Sequence, residues 1–377
     1  MDVTASGLAA AAALMTRLLT ARTLHPAHAG ALLRADDTGL HLLATDGEVT
    51  VHLRVPATVH TPGEVIVPRR GLADTLTALD PADARLTVQG GRLAIRVPGA
   101  RFALPSLPDA VPPAADLPPL LGSVPGEVLR AAAVPVAGAA SREHALPMFT
   151  GVRLRTHADA LTLFATDRFR LATAAIPWQP APPDSAGRGA ASTSRVEALI
   201  PAAVLTRAAQ HLGRVTTVHI HADDDLFALS WDGGSIITAT IGGGYPDAQL
   251  SRLLDVTAVC TVEVDADTLA QAVDRAATYG GPHGRVTLQP IEGALLIRAE
   301  DPLTGESEQT IKATVDGSPT TRSFQARLLT DALRAFPRHP VQLRFQEAMR
   351  ATAVTATAPS SPDLHYLVVP LRTPPAP

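Results

Sequence analysis

The sequence predicts an α+β protein of three similar modules, each with two helices packed on antiparallel sheets. Three observations carry this expectation: a hairpin motif that recurs, paired helical segments with related second halves, and proline- or glycine-rich breaks at domain-sized intervals.

The hairpin is clearest at residues 161–171, LTLFATDRFRL. Leu161, Leu163 and Ala165 alternate with Thr162, Phe164 and Thr166, the period of two of a strand. Asp167 and Arg168 supply turn chemistry, and Arg170, Leu171, Ala172 and Thr173 resume the alternation, so a tight hairpin is expected. A weaker copy runs LLATDG at 42–47 and a more diverged one LLIRAED at 295–301. One helix opens each module, marked by Leu8, Ala12, Met15 and Leu19, by Val128, Leu129 and Ala132, and by Leu269, Val273 and Ala276, the last capped by Asp265 or Asp267. Second helices are expected over 67–79, 200–212 and 324–336, with Pro68 and Pro201 at the first helical position, where a missing N–H costs nothing. The repeat is roughly 120–135 residues, the size of a whole domain, and the expected domains are 1–120, 121–250 and 251–377. Residues 105–119 are too proline-rich for helix or central strand, and 241–247 mark a second break. Residues 180–194 read as a loop and 373–377 as an extended tail.

Composition narrows the function classes. With 46% apolar and 18% charged residues the chain is globular, and no apolar run reaches bilayer length. The alanine-rich stretch 8–19 lacks a basic leader and cleavage site, so a cytoplasmic location is expected. Cys260 is the only cysteine, which excludes an internal disulfide and points to a buried thiol. Residues 223–225, three aspartates, read as a solvated turn. His219 and His221 share a strand face without a third ligand nearby, and residues 242–244, three glycines, have the context of a hinge and not of a phosphate loop. No serine stands in a nucleophile elbow. No catalytic residue, metal or cofactor is expected.

Net charge is −4, yet a nucleic acid feels the local patch and not the total. Arg17, Arg22, Arg69, Arg70, Arg130, Arg142, Arg207, Arg275, Arg334 and Arg338 fall on or at the ends of the six expected helices. Such a set is suited to sequence-independent contact with a DNA backbone through counterion release.

Eight stretches in order complete the reading: LLATD (42–46), VPRRGLAD (67–74), RFALPSLP (101–108), FTGV (149–152), ATDRFRLA (165–172), IPA (200–202), YPD (245–247) and YLVVPLR (366–372). Over nearly the whole chain they resemble the bacterial β sliding clamps, the DNA polymerase III beta-subunit family. That resemblance implies a DNA-clamp fold and a head-to-tail homodimer forming a ring of six domains around double-stranded DNA, helices inward and sheets outward. It implies a processivity factor that tethers the replicative DNA polymerase, with the clamp loader and other proteins carrying a clamp-binding motif as further partners. Their peptide would enter an apolar cleft between domains two and three. The cleft would be lined by Phe149, Thr166, Arg168, Phe169, Arg170, Leu171, Pro246, Leu328, Met349, Ala351, Leu367, Val368, Val369, Pro370, Leu371 and Arg372. Its apolar walls would take a leucine or phenylalanine, its arginines the polar ends. The dimer seam would set Phe102 and Leu104 against Thr278 and Tyr279.

The chain also departs from the family pattern. Arg168 stands where glycine is usual, at a turn position where positive φ is easy only for glycine, and is expected to reshape or partly fill the cleft. Pro135 is expected to interrupt and kink a helix lining the hole. Leu146 replaces a basic residue, Thr278 and Tyr279 replace aliphatics, and five residues follow Arg372 beside the cleft. Two alternatives therefore accompany a working clamp. One is a paralogue with an altered cleft, for specialised repair or for substitution when the main clamp is inhibited. The other is a peptide-binding scaffold that does not encircle DNA.

Overall fold

The computed structural model describes residues 1–20, 26–79, 83–108, 116–157, 159–182 and 196–372. Arg22, the centre of the proline-rich segment, nearly all of the 180–194 loop and the 373–377 tail lie outside the described residues.

The helices are α1 (Ala5–Leu18), α2 (Arg69–Thr77), α3 (Gly126–Gly138), α4 (Ala202–Leu212), α5 (Asp247–Ser251), α6 (Ala266–Ala277) and α7 (Ala326–Leu333). Apart from the short α5, these are the six expected from sequence, and each buries a face of the expected spacing: Leu8, Ala12 and Met15 in α1, Leu269, Val273 and Ala276 in α6. Asp265 caps α6, accepting the Thr268 N–H at 2.8 Å.

Some boundaries differ from expectation. Pro68 and Pro201 close the preceding strands, Gly63–Pro68 and Glu197–Pro201, and the helices begin one residue later. α2 and α7 end before residues 79 and 336. Their last turns tighten instead, with the Leu79 N–H donating to Leu76 O and the Phe336 N–H to Leu333 O. Pro135 does not interrupt α3, which runs on to Gly138. It lies within the last turn, where its missing N–H forfeits one bond near an end that frays anyway.

The chain forms two compact units. The first comprises residues 1–127, 178–200 and 207–240. It holds a five-stranded antiparallel sheet in the order Ala57–Thr58, Asp2–Thr4, Asp83–Gln89, Arg92–Val97, Ala100–Pro105. Its second sheet has nine strands: Gln179–Pro180, Leu120–Pro125, Thr217–Ala222, Leu226–Trp231, Gly234–Ala239, Val49–Val55, Gly39–Thr45, Gly30–Asp36, Gly63–Pro68. α1 packs on α2 in this unit. The second unit comprises residues 128–177, 201–206 and 241–377. One sheet runs Gly151–His157, Ala160–Thr166, Arg170–Pro177, Asp363–Val368, Thr352–Ala356, Pro340–Gln346, Ala258–Asp265, Thr314–Gly317. The other has four strands, Gly305–Lys312, Ala294–Asp301, Arg285–Ile291 and Arg322–Gln325, and α6 packs on α7.

The proline-rich break at 105–119 therefore lies inside the first unit, whereas the one at 241–247 begins where the chain passes from the first unit to the second, and strand ladders cross both. Ile236 pairs opposite Val51 in the first unit, and Leu171 opposite Leu367 in the second. Both ladders bury apolar side chains, each contributing about 1.5–3 kcal/mol when fully withdrawn from water.

The recurring hairpins bury the side chains that the alternation marks: Leu40 and Leu42, Leu161 and Leu163, Leu295 and Ile297. Cys260 is buried, and burial pushes its thiol pKa up. Asp223 closes its turn by accepting the N–H groups of Asp225 and Leu226. Both ring nitrogens of buried His221 have protein partners, Pro118 O and Ser230 Oγ. Among the described residues no three His, Cys, Asp or Glu side chains are grouped to hold a metal ion, and no helix is long and apolar enough to cross a membrane.

Candidate peptide-binding cleft

All sixteen sequence-expected cleft residues fall within the second unit. Leu171, Ala353 and Leu367 form an apolar floor, and Phe164, Leu250, Leu254, Val256 and Ala351 pack against it. Phe169, Met349 and Val369 stand exposed beside it, at 56%, 40% and 38%. Large apolar side chains left in water at such positions mark a contact surface more than a folding core.

Sequence reasoning missed Phe164, Leu250, Leu254, Val256 and Ala353. Phe164 carried a signal: it occupies the face opposite Leu163 and Ala165, where a polar residue is expected. Tyr245 is the hub of one wall. The rings of Phe149 and Phe164 meet it edge-on at 6.4 and 6.1 Å. Arg153 fixes the Tyr-Pro-Asp segment through Asp247, at 3.2 Å, and Pro246 leads into α5.

The turn at 166–170 is locked by its own side chains. The Thr166 hydroxyl donates to Arg170 O at 2.6 Å and accepts the Arg168 N–H at 3.0 Å. Asp167 Oδ1 accepts the N–H groups of Phe169 and Arg170 at 3.0 and 2.9 Å. This frame holds Arg168 at φ +78°, the left-handed region that favours glycine. The Arg168 guanidinium reaches Glu143 at 3.5 Å, and both side chains are largely exposed.

Several of the expected residues also brace the frame. Arg170 is only 4% exposed, and its guanidinium is held by Asp167 at 2.9 Å and Asp331 at 2.6 Å. The hydroxyl of buried Thr166 is spent on the turn, and Leu328, Val368 and Pro370 are buried. The Val369 N–H donates to Phe169 O and the Leu371 N–H to Ser323 O, which ties the 366–372 segment down on both sides. Arg372 is exposed, and its carbonyl accepts from Arg285. Burial raises the hydroxyl pKa of Tyr366, pushed up to about 12 despite neighbouring Arg170.

The helix arginines divide. Arg17, Arg70, Arg142, Arg275, Arg334 and Arg338 are exposed, while Arg130 and Arg207 are partly buried. Arg275 donates to Gln309, Arg334 pairs with Asp274 at 2.7 Å, and Arg142 lies in the turn after α3. Arg69 corrects the expectation. It is 3% exposed and donates to Thr20 O at 2.9 Å, and desolvation lowers its pKa. It fastens the end of α1 and offers no charge to solvent. Of the expected seam, Phe102 and Leu104 are partly buried on Ala100–Pro105, an edge strand of the five-stranded sheet. Thr278 ends α6, and Tyr279 lies near Gly305, which opens Gly305–Lys312, an edge strand of the four-stranded sheet.

The chain matches three family descriptions in succession: the N-terminal domain of the DNA polymerase III beta subunit over residues 2–116, the central domain over 123–247 and the C-terminal domain over 253–372. It is 29% identical over 375 residues to the beta sliding clamp of Streptomyces coelicolor, covering 97% of each chain. It is 28% identical over 367 residues to the beta sliding clamp homolog GriR of Streptomyces muensis, covering 95% of each. Among solved structures, the DNA polymerase sliding clamp of Bacillus subtilis superposes with a TM-score of 0.87 at 22% identity, covering 99% of this chain and 98% of the other. The fold is the three-domain α+β clamp fold.

Proposed function

The chain belongs to the family of bacterial β sliding clamps, the beta subunits of DNA polymerase III, and from that premise we propose that two copies close head to tail around duplex DNA and tether the replicative polymerase. Its function is that of a DNA sliding clamp. The role is non-catalytic and cytoplasmic: the ring holds DNA by topology, and its partners do the chemistry. Domains 1–120, 121–250 and 251–377 each supply two helices besides the short α5, and the matched spans 2–116, 123–247 and 253–372 support those limits.

The observation that carries the tethering role is the apolar floor of Leu171, Ala353 and Leu367 beside exposed Phe169, Met349 and Val369. Its shape suits the leucine or phenylalanine of a short peptide from the polymerase, the clamp loader or another clamp-binding protein. Two unpaired edges, Ala100–Pro105 and Gly305–Lys312, support closure, since an isolated edge strand is a template for pairing with a second copy. The exposed arginines Arg17, Arg70, Arg142, Arg275, Arg334 and Arg338 support weak phosphate contact, which allows sliding where tight contact would stall it. The test is retention. Protein loaded on nicked circular DNA should stay bound and be lost when the circle is linearised. A monomer at micromolar concentration, with peptide still bound, would replace the ring with a non-encircling scaffold.

A second reading is favoured by Arg168, whose side chain stands where the first module's equivalent turn has Gly47. In this reading the chain is a paralogue whose cleft is altered for other partners. Weak binding of a Gln-Leu-x-Leu-Phe peptide, restored by Arg168→Gly, is its expected signature.

A further inference from the structure

We propose that Arg168, Arg142 and Arg327 form a basic lip on the cleft that selects partner peptides carrying an aspartate or glutamate beside their apolar anchor. This rests on the peptide-cleft reading above and names the partner chemistry that the cleft prefers.

The lip is a pocket of about 210 Å³ that shares Arg168, Phe169, Arg170 and Leu328 with the expected cleft. Its lining holds four arginines (142, 168, 170 and 327) against two carboxylates, Glu143 and Asp167. Asp167 is engaged by the guanidinium of buried Arg170, which itself reaches on to Asp331. That leaves Arg142, Arg168 and Arg327, all with solvent access, and Glu143 as the other carboxylate among the described residues of the lining. The one contact between Glu143 and Arg168 is long, 3.5 Å, with side chains 51% and 73% exposed, so it is easily exchanged. A peptide carboxylate arriving at the lip would meet a guanidinium fork able to hold both its oxygens.

Two features tie this chemistry to the cleft and not to a solvated surface. Arg168 is one residue from exposed Phe169, whose carbonyl accepts the Val369 N–H and so joins the lip to the 366–372 segment. Arg168 also adopts a backbone conformation that L side chains rarely take, held there by Thr166 and Asp167. The equivalent turn of the first module has glycine at this point and therefore no side chain to offer. A cation kept at a strained position over a binding cleft is a candidate for selecting ligands.

The experiment uses the full chain and end-capped Gln-Leu-x-Leu-Phe peptides bearing Asp, Asn or Lys immediately before or after the motif, titrated by fluorescence anisotropy. On at least one flank the Asp peptide should bind roughly three- to tenfold more tightly than its Asn twin, and Lys should bind worst. Arg168→Gln should bring the Asp/Asn ratio towards one, and Arg168→Lys should keep part of the preference. The ratio should shrink between about 50 and about 500 mM salt. Thermal melts establish that each variant is folded. Equal binding of Asp and Asn peptides on both flanks overturns the lip and leaves the cleft standing. No binding by wild type or by Arg168→Gly overturns the cleft reading and the lip with it. Loss of DNA retention in Arg168→Gln with peptide preference intact assigns the arginine to DNA instead and overturns the proposal.

Discussion

In the turn at residues 45–49, the Thr45 hydroxyl donates to Val49 O at 2.9 Å and accepts the Gly47 N–H at 3.1 Å, while Asp46 Oδ1 accepts from Glu48 and Val49. In the turn at residues 166–170, Thr166 and Asp167 make the same four bonds to Arg170, Arg168 and Phe169. The backbone is alike to the third residue, which has φ +95° in one turn and +78° in the other. The contents differ. Glycine stands at the strained position of the first turn and arginine at that of the second. Buried Val49 closes the first, whereas buried Arg170 closes the second and binds two carboxylates. A Thr-Asp pair is thus enough to fold the turn, which leaves the following side chains free to serve either a core or a cleft.

The sharpest way to break this comparison is at the fifth position. Arg170→Ala should cost about 3–5 kcal/mol, because it empties a buried site and leaves the largely buried Asp167 without its guanidinium partner. Val49→Ala should cost about 1–3 kcal/mol, for lost apolar contact only. Denaturant titration of both variants checks the difference. Next comes Gly47→Arg, at about 2 kcal/mol, since any Cβ there would lie 2.8 Å from His28 Cε1 in addition to the unfavourable φ.

Asp46 gives a pH test. Burial opposes its ionisation, but the N–H groups of Thr20, Val49 and Glu48 outweigh that cost, and its pKa lies below the ordinary 3.8. A carboxyl depressed in the folded state adds stability above its unfolded pKa and loses it as pH falls through the folded one. Asp46→Asn should therefore lower stability by about 1 kcal/mol at neutral pH, with the gap between variant and wild type closing below about pH 4 in melts taken down the acid range. The smallest effect is expected for Arg168→Gly, a gain of about 0.5–1 kcal/mol on relieving the strained φ, visible as a raised melting temperature.

Much of the frame was legible in the residues themselves. The alternation at 161–171 located strand, turn and strand, and the acidic pair Asp265 and Asp267 located the start of α6 to within two residues, with Asp265 proving to be the cap. The burial of Arg69 was written less openly. Residues 69, 72, 73 and 76 share one helical face, and Leu72, Ala73 and Leu76 are all buried, so helical phase separates Arg69 from its exposed neighbour Arg70 where composition cannot. The roles of Ala353, Leu250 and Leu254 were not legible, because they depend on strands and a short helix from separate stretches of chain meeting around Leu171 and Leu367. The same holds for the division into two units, which turns on pairings such as Ile236 with Val51 that no local pattern announces.

The ladder between Arg170–Pro177 and Asp363–Val368 runs through six opposed pairs, from Arg170 with Val368 to Ala175 with Asp363. A protease that cut the exposed glycines at 242–244 would sever the polypeptide there without parting the pieces, since this seam of backbone bonds and its apolar backing would remain. Nicked protein should migrate as two fragments in denaturing gels and as one species in native ones. The clamp's central and C-terminal segments would then come apart only by unfolding.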